Sequence, residues 1–184
     1  MENVKSESEL FRSADIGAIY SKEDHIGLWV RILIMLIDGV ALAIYGILVS
    51  LLFEMFYLPF NYFLFPFFIG AFLYLTIVKS SQSGTIAYIM LKIKVVDLNG
   101  NSPSFIKMII RFALLIIGPL EFILDMIWLT GESTRQTLRD KVAGTYVLKS
   151  DANPIEYGVI KYVYLDVLGY AFTVKEVQRN KTII

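Results

Sequence analysis

The chain of 184 residues contains no cysteine, one histidine and five prolines. Without cysteine there can be no disulfide and no thiolate metal site, and His25 by itself cannot build a metal cluster. No metal and no cofactor is therefore expected. Charge is also scarce: only 18% of residues are charged, and 17 basic side chains balance 17 acidic ones. A nucleic-acid partner would leave a basic excess or stripe, so that class is set aside. No Gly-x-x-x-x-Gly-Lys loop and no Ser/His/Asp arrangement occurs, which excludes ATP-driven pumping by this chain alone and predicts a protein that is not an enzyme. Residues 1–27 are polar and acidic (Glu2, Glu7, Glu9, Asp15, Glu23, Asp24). They offer no apolar core for a signal peptide and read as a polar tail, with the first span doubling as the insertion signal.

What the chain does have is hydrophobicity. Hydrophobic residues make up 56% and aromatics 14% of the sequence, and the mean hydropathy of +0.61 is far outside the range of an ordinary soluble domain. An integral membrane protein in the lipid bilayer is expected. Residues 28–53 form an apolar run broken only by Arg31 and Asp38, and the run is long enough to span a bilayer. Charges inside a span are costly and usually pair or work. Nearly two helical turns separate these two, so both leave one face, about 10 Å apart along the axis. That polar stripe should meet a partner element and not lipid. For Arg31, which cannot deprotonate, snorkelling to the headgroups is the favoured expectation.

Residues 56–78 form a second, uncharged and aromatic-rich span, antiparallel to the first. Pro59 and Pro66 should kink it near Asn61, whose amide could satisfy a freed carbonyl. From residue 79 to 107 the chain turns amphipathic, with Lys79, Lys92, Lys94 and Lys107 opposed only by Asp97. This predicts a cytoplasmic segment at the membrane surface. Residues 91–97 alternate as a half-buried strand, Asn99-Gly100 supplies a turn, and residues 85–91 are equally compatible with a short interfacial helix.

A third apolar stretch, residues 108–131, holds Arg111, Gly118-Pro119, Glu121 and Asp125. A single crossing would put the basic residues after it opposite the lysine-rich segment before it, against the positive-inside tendency. A hairpin broken at Gly118-Pro119, returning both ends to the cytoplasm, is preferred. Glu121 and Asp125 are four apart on one helical face, so in low dielectric a shared proton or a monovalent cation would relieve their repulsion. Reaching water at the interface would serve equally well. Asp140 is expected to cap a helix or pair with Arg111 or Arg135. Residues 151–184 read as a small β-rich appendage, with strands at 159–164 and 170–177.

The fold class expected is thus a mainly α-helical membrane protein. It has two transmembrane helices, a third broken or re-entrant segment and a small cytoplasmic β element. The domains are a tail at 1–27, a membrane domain at 28–150 and an appendage at 151–184. The location is the cell membrane, multi-pass, with a cytoplasmic N-terminus.

Several motifs, in order, resemble the RDD family of small bacterial and archaeal membrane proteins, named for one arginine and two aspartates. Trp29-Val30-Arg31 leading to Leu36-Ile37-Asp38 is similar to its first helix. Ser83-Gly84-Thr85, then Lys94-Val95-Val96-Asp97, Asn99-Gly100 and Arg111 resemble its middle loop. The clearest match runs from Arg135 through Asp140 to Gly144 and Thr145. The sequence departs where the family often has Gly-Lys, here Ala87-Tyr88, and where it commonly has histidine, here Arg139. The resemblance implies a membrane protein of transport, with cation/proton exchange in some members. Two readings follow. In one, Arg31, Asp38, Arg111, Glu121 and Asp125 make an ion or proton site, or pair helices, in a homo-oligomer. In the other, the chain is a non-transporting scaffold whose β element binds a partner.

Overall fold

The computed structural model describes residues 16–81, 84–116, 136–167 and 170–179. After a four-residue strand β1 (Ile16–Ile19), helix α1 runs over Leu28–Met55. A second helical run, Phe60–Val78, consists of a 3-10 turn at Phe60–Tyr62, helix α2 at Leu64–Leu73 and a π turn at Tyr74–Val78. Then come α3 (Ile86–Leu91), β2 (Ile93–Asp97) and α4 (Phe105–Ile116). The chain closes with α5 (Leu138–Ala143), β3 (Thr145–Lys149), β4 (Glu156–Val167) and β5 (Tyr170–Gln178).

Two helices, Leu28–Met55 and Phe60–Val78, are long and apolar enough to cross a membrane. Of α1, only Ile34, Asp38 and Val49 are buried, and large apolar side chains such as Leu36, Val40, Ile44 and Ile47 stand exposed. The helices approach closely at Gly70, where any Cβ would collide with the Tyr45 ring. The Tyr45 hydroxyl donates to the Pro66 carbonyl at 2.8 Å. Asn61, expected to serve a carbonyl at the kink, is instead exposed in the 3-10 turn, because Pro59 ends the preceding loop and regular helix begins only at Leu64.

At one end of this helical pair lies a β platform. Strands β2 and β3 pair antiparallel, from Ile93 opposite Lys149 to Asp97 opposite Thr145. The N-terminal segment flanks β3: His25 bridges to Leu148, and the Ile26 amide donates to the Val147 carbonyl at 3.2 Å. Strand alternation sends Ile93, Val95 and Val147 toward α1, α3 and α4, where they pack with Ile26, Ile34, Tyr88 and Met108. The opposite face carries Val96, Leu98, Tyr146 and Leu148 into a second core with Ala18, Tyr20 and Ala152. β2 is therefore covered on both faces, where the lysine alternation suggested one. Lys94 accommodates this by donating to the Ala152 carbonyl at 2.7 Å.

The other sheet is antiparallel in the order β1-β4-β5. The strands expected at 159–164 and 170–177 are present and longer, as β4 and β5. Residues 16–26, read as polar tail, instead supply β1 and an edge for the platform, because four residues are too few to show as a strand among polar neighbours. The described chain is thus mixed helix and strand, where its hydropathy led to a mainly α-helical expectation. The short helix at 85–91 forms as α3, the strand at 91–97 as β2, and Gly100 turns the chain at φ 87° with its amide on the Asp97 carbonyl. Gly118-Pro119 and the proposed break there lie outside the described residues.

Candidate functional site

Arg31 leaves the first turn of α1 and reaches the platform. Its Nη2 lies 2.7 Å from Asp140 Oδ2, and its Nε donates to the Ile26 carbonyl at 3.3 Å. The snorkelling expected of Arg31 is not what the structure shows, because a fully buried carboxylate sits within its reach. Asp140 is the third residue of α5 and has no exposed side-chain surface. Its carboxylate accepts from the Thr137 amide at 3.3 Å while its own amide donates to Thr137 Oγ1 at 3.1 Å, a reciprocal capping box. The second guanidinium comes from Arg111 of α4, whose Nη1 donates to both Asp140 Oδ1 and Thr145 Oγ1. Asp140 thereby both caps a helix and pairs with Arg111. Gly144 ends α5 in the left-handed region, φ 61° and ψ 55°, and so turns Thr145 back onto the cluster. Gln136, missed by the sequence reading, holds the Thr145 carbonyl at 3.0 Å.

Burial alone would raise the Asp140 pKa. The Arg111 and Arg31 guanidiniums, with Arg139 and the Thr137 amide, outweigh that and hold the carboxyl well below the usual carboxylate range. Asp140 is a fixed anion.

Asp38 lies two turns further along α1, also buried, and its partners differ in kind. The Tyr74 hydroxyl donates to Oδ1 at 2.9 Å, Lys79 Nζ lies 3.2 Å from Oδ2, and the Thr85 hydroxyl donates to Oδ2 at 3.2 Å. Tyr74 Oη in turn accepts the Ile86 amide at 3.1 Å, tying the start of α3 to the cluster. Lys79 also stands over the Tyr88 ring at 4.9 Å from its centre. Arg31 and Asp38 do leave one side of α1, but they meet different elements: Arg31 the platform, Asp38 the end of the second helical run. Tyr74, Lys79 and Tyr88 were not singled out as site residues from sequence. Lys79 carried a usable signal, as the first charge after a long uncharged span.

The structure brings Arg31, Arg111, Asp140, Gly144 and Thr145 together and sets Asp38 apart with Lys79. Glu121, Asp125 and Arg135 lie outside the described residues. Among the described residues no group of three or more His, Asp or Glu side chains is placed to hold a metal ion.

No curated protein and no solved structure matches this chain. The family model of the RDD family matches residues 26–144. That range begins at the edge segment beside β3, takes in Arg31, Asp38, Arg111 and Asp140, and ends at Gly144, so with its two membrane-length helices this chain belongs to the RDD family.

Proposed function

We propose that the chain is a multi-pass protein of the cell membrane that works as a secondary, ion-linked permeation unit, exchanging a proton against a monovalent cation at Asp38. The observation that carries this reading is the choice of counter-ion. Asp38 is buried about 10 Å along α1 from Arg31, and an ammonium and two hydroxyls hold it, with no guanidinium among these partners. An ammonium is a compact point charge on a flexible stem, and a proton on the carboxylate or a cation of the same charge can take its place. Intramembrane carboxylates of this kind mark relays and ion paths.

Orientation follows from charge. Lys92, Lys94, Lys107, Lys141 and Lys149 belong to the platform end, whereas residues 54–59 at the far end hold Glu54 and no lysine or arginine. The positive-inside tendency puts the platform, and the N-terminus with it, in the cytoplasm. Pairing of β2 with β3, and of Arg111 with Asp140, supports a return of the chain to that side after residues 117–135. Two membrane-length helices and a third apolar stretch rarely enclose a path alone, so several copies would assemble, and the protein would act without enzymatic chemistry or a bound cofactor.

The test is proton flux in proteoliposomes under an imposed pH gradient, with sodium, potassium or lithium outside. The unmodified chain should show cation-dependent flux, and Asp38→Asn should abolish it. If folded, inserted protein matches empty liposomes, exchange by this chain alone is ruled out. A second reading, a scaffold that binds a partner, would then take its place; it draws on the exposed Tyr157, Tyr162 and Tyr164 of β4.

A further inference from the structure

Tyr74 and Lys79 both reach the Asp38 carboxylate, yet they are five residues apart. On a regular α-helix, side chains five apart diverge by about 140°, so no single carboxylate could engage both through direct reach along one face. The π turn at Tyr74–Val78 resolves this, because its wider i→i+5 closure stacks the two residues. The π turn is therefore what assembles the cluster. Thr76 sits at its centre, fully buried, and its hydroxyl donates to the Phe72 carbonyl one turn back. Such back-bonding competes with regular helical closure and bends helices, which favours the wider turn here.

We propose that this π turn is a one-residue register switch at the Asp38 site, and that Thr76 is its positioning residue. With the turn wide, Lys79 neutralises Asp38. When the segment relaxes to α-helical closure, the residues after it rotate by about 100° and advance by about 1.5 Å, so Lys79 leaves the carboxylate while Tyr74 stays. Among the described residues, the charged and titratable groups around Asp38 are Tyr74, Lys79 and, beneath Lys79, the Tyr88 ring. Arg31, on the same helix, is engaged by Asp140. Loss of the Asp38 charge removes the reason for Lys79 to remain, so the occupancy of the carboxylate and the register of the turn are coupled. The inference rests on the reading of Asp38 as an exchange site, but its test does not.

The chain has no cysteine, so nitroxides can be placed on Ile47→Cys, exposed on α1, and on Ser80→Cys, just after the turn. Distances are read by pulsed electron resonance on the full chain in nanodiscs. Two distances several Å apart are expected, with Asp38→Asn moving weight to the second. Deleting Ile77, which is exposed, makes Tyr74 and Lys79 four apart and hence neighbours on an ordinary helix. That variant should give one distance, unmoved by Asp38→Asn. Thr76→Val, which removes only the hydroxyl, should shift weight as Asp38→Asn does, and it decides the matter if the deletion fails to fold. A single distance that neither Asp38→Asn nor Thr76→Val moves overturns the switch. Two distances without proton flux would keep the switch and defeat the exchange reading; flux with one fixed distance would do the reverse.

Discussion

One buried carboxylate, Asp38, belongs to α1 and another, Asp140, is held against it, and the two are bound in opposite ways. Asp140 lies between two guanidiniums inside a capping box, whereas Asp38 lies against one ammonium and two hydroxyls. A guanidinium keeps its charge at any pH a protein meets and holds a carboxylate through a planar array of donors. An ammonium is a compact point charge on a flexible stem. The Asp140 cluster joins α1, α4, α5 and β3 and has the chemistry of a permanent fastener. The Asp38 cluster joins α1 to the end of the second helical run and the start of α3, with the chemistry of a contact that can open.

The largest effect expected is at Asp140. Asp140→Asn removes the anion shared by the buried Arg111 and the half-buried Arg31, and breaking a buried ion pair from one side costs about 3–5 kcal/mol. Thermal unfolding in detergent should show it plainly. Asp38→Asn keeps a hydrogen-bonding side chain of the same shape against Tyr74 and Thr85, so it should destabilise much less while removing the flux. Equal losses of stability from the two variants would break the comparison. Acid sharpens it. The folded pKa of Asp140 is depressed, so its contribution is complete above the pKa of an unfolded aspartate, about 4. It is lost as pH falls through the folded value. The Asp140→Asn chain should therefore lose less stability on acidification over that window than the unmodified chain does.

How much of this the sequence disclosed depends on the range of the contact. The two apolar runs, the alternation at 91–97 and the Asn99-Gly100 turn are local patterns, and each became the expected element. Arg31 and Asp38 were visible as charges in an apolar run, but helical spacing fixes only the face they leave by. It says nothing of which distant element waits there, and the partner of Arg31 proved to be more than a hundred residues away in sequence. Tyr74 and Lys79 were hidden for a different reason. Counting at α-helical period puts them on diverging faces, and only the π turn aligns them. β1 was lost because a strand of four residues gains its stability from pairing with β4, a contact absent from its own composition.

Exchanging the cations tests the comparison at lower cost to the fold. Arg111→Lys retains the charge and has donors enough, but its stem ends one bond short of the Nη1 that serves both Asp140 and Thr145, so it gives up a hydrogen bond to a charged group, roughly 2 kcal/mol. It should lower the unfolding temperature and leave flux nearly unchanged. Lys79→Arg should do the reverse, leaving stability within about 1 kcal/mol, since Lys79 is a partly exposed member of its pair, while a guanidinium that does not titrate pins Asp38 and suppresses flux. Flux that survives Lys79→Arg undiminished would mean that release of the ammonium plays no part in the cycle.

The smallest effect separates fastening from geometry at Gly144. Its left-handed φ of 61° favours glycine, yet among the described residues a Cβ there would meet only the Leu98 side chain at 3.6 Å, an ordinary contact. Gly144→Ala therefore pays for backbone conformation alone, about 1 kcal/mol. Gly144 also follows α5 directly and precedes Thr145, so any relaxation of the turn would move the Thr145 hydroxyl off Arg111. If the turn holds, unfolding shifts by that small amount and flux is untouched, because nothing at Asp38 has moved. If Gly144→Ala instead destabilises as much as Arg111→Lys, the Thr145 contact has been lost with it. The guanidinium cluster then depends on this turn as much as on its own charges.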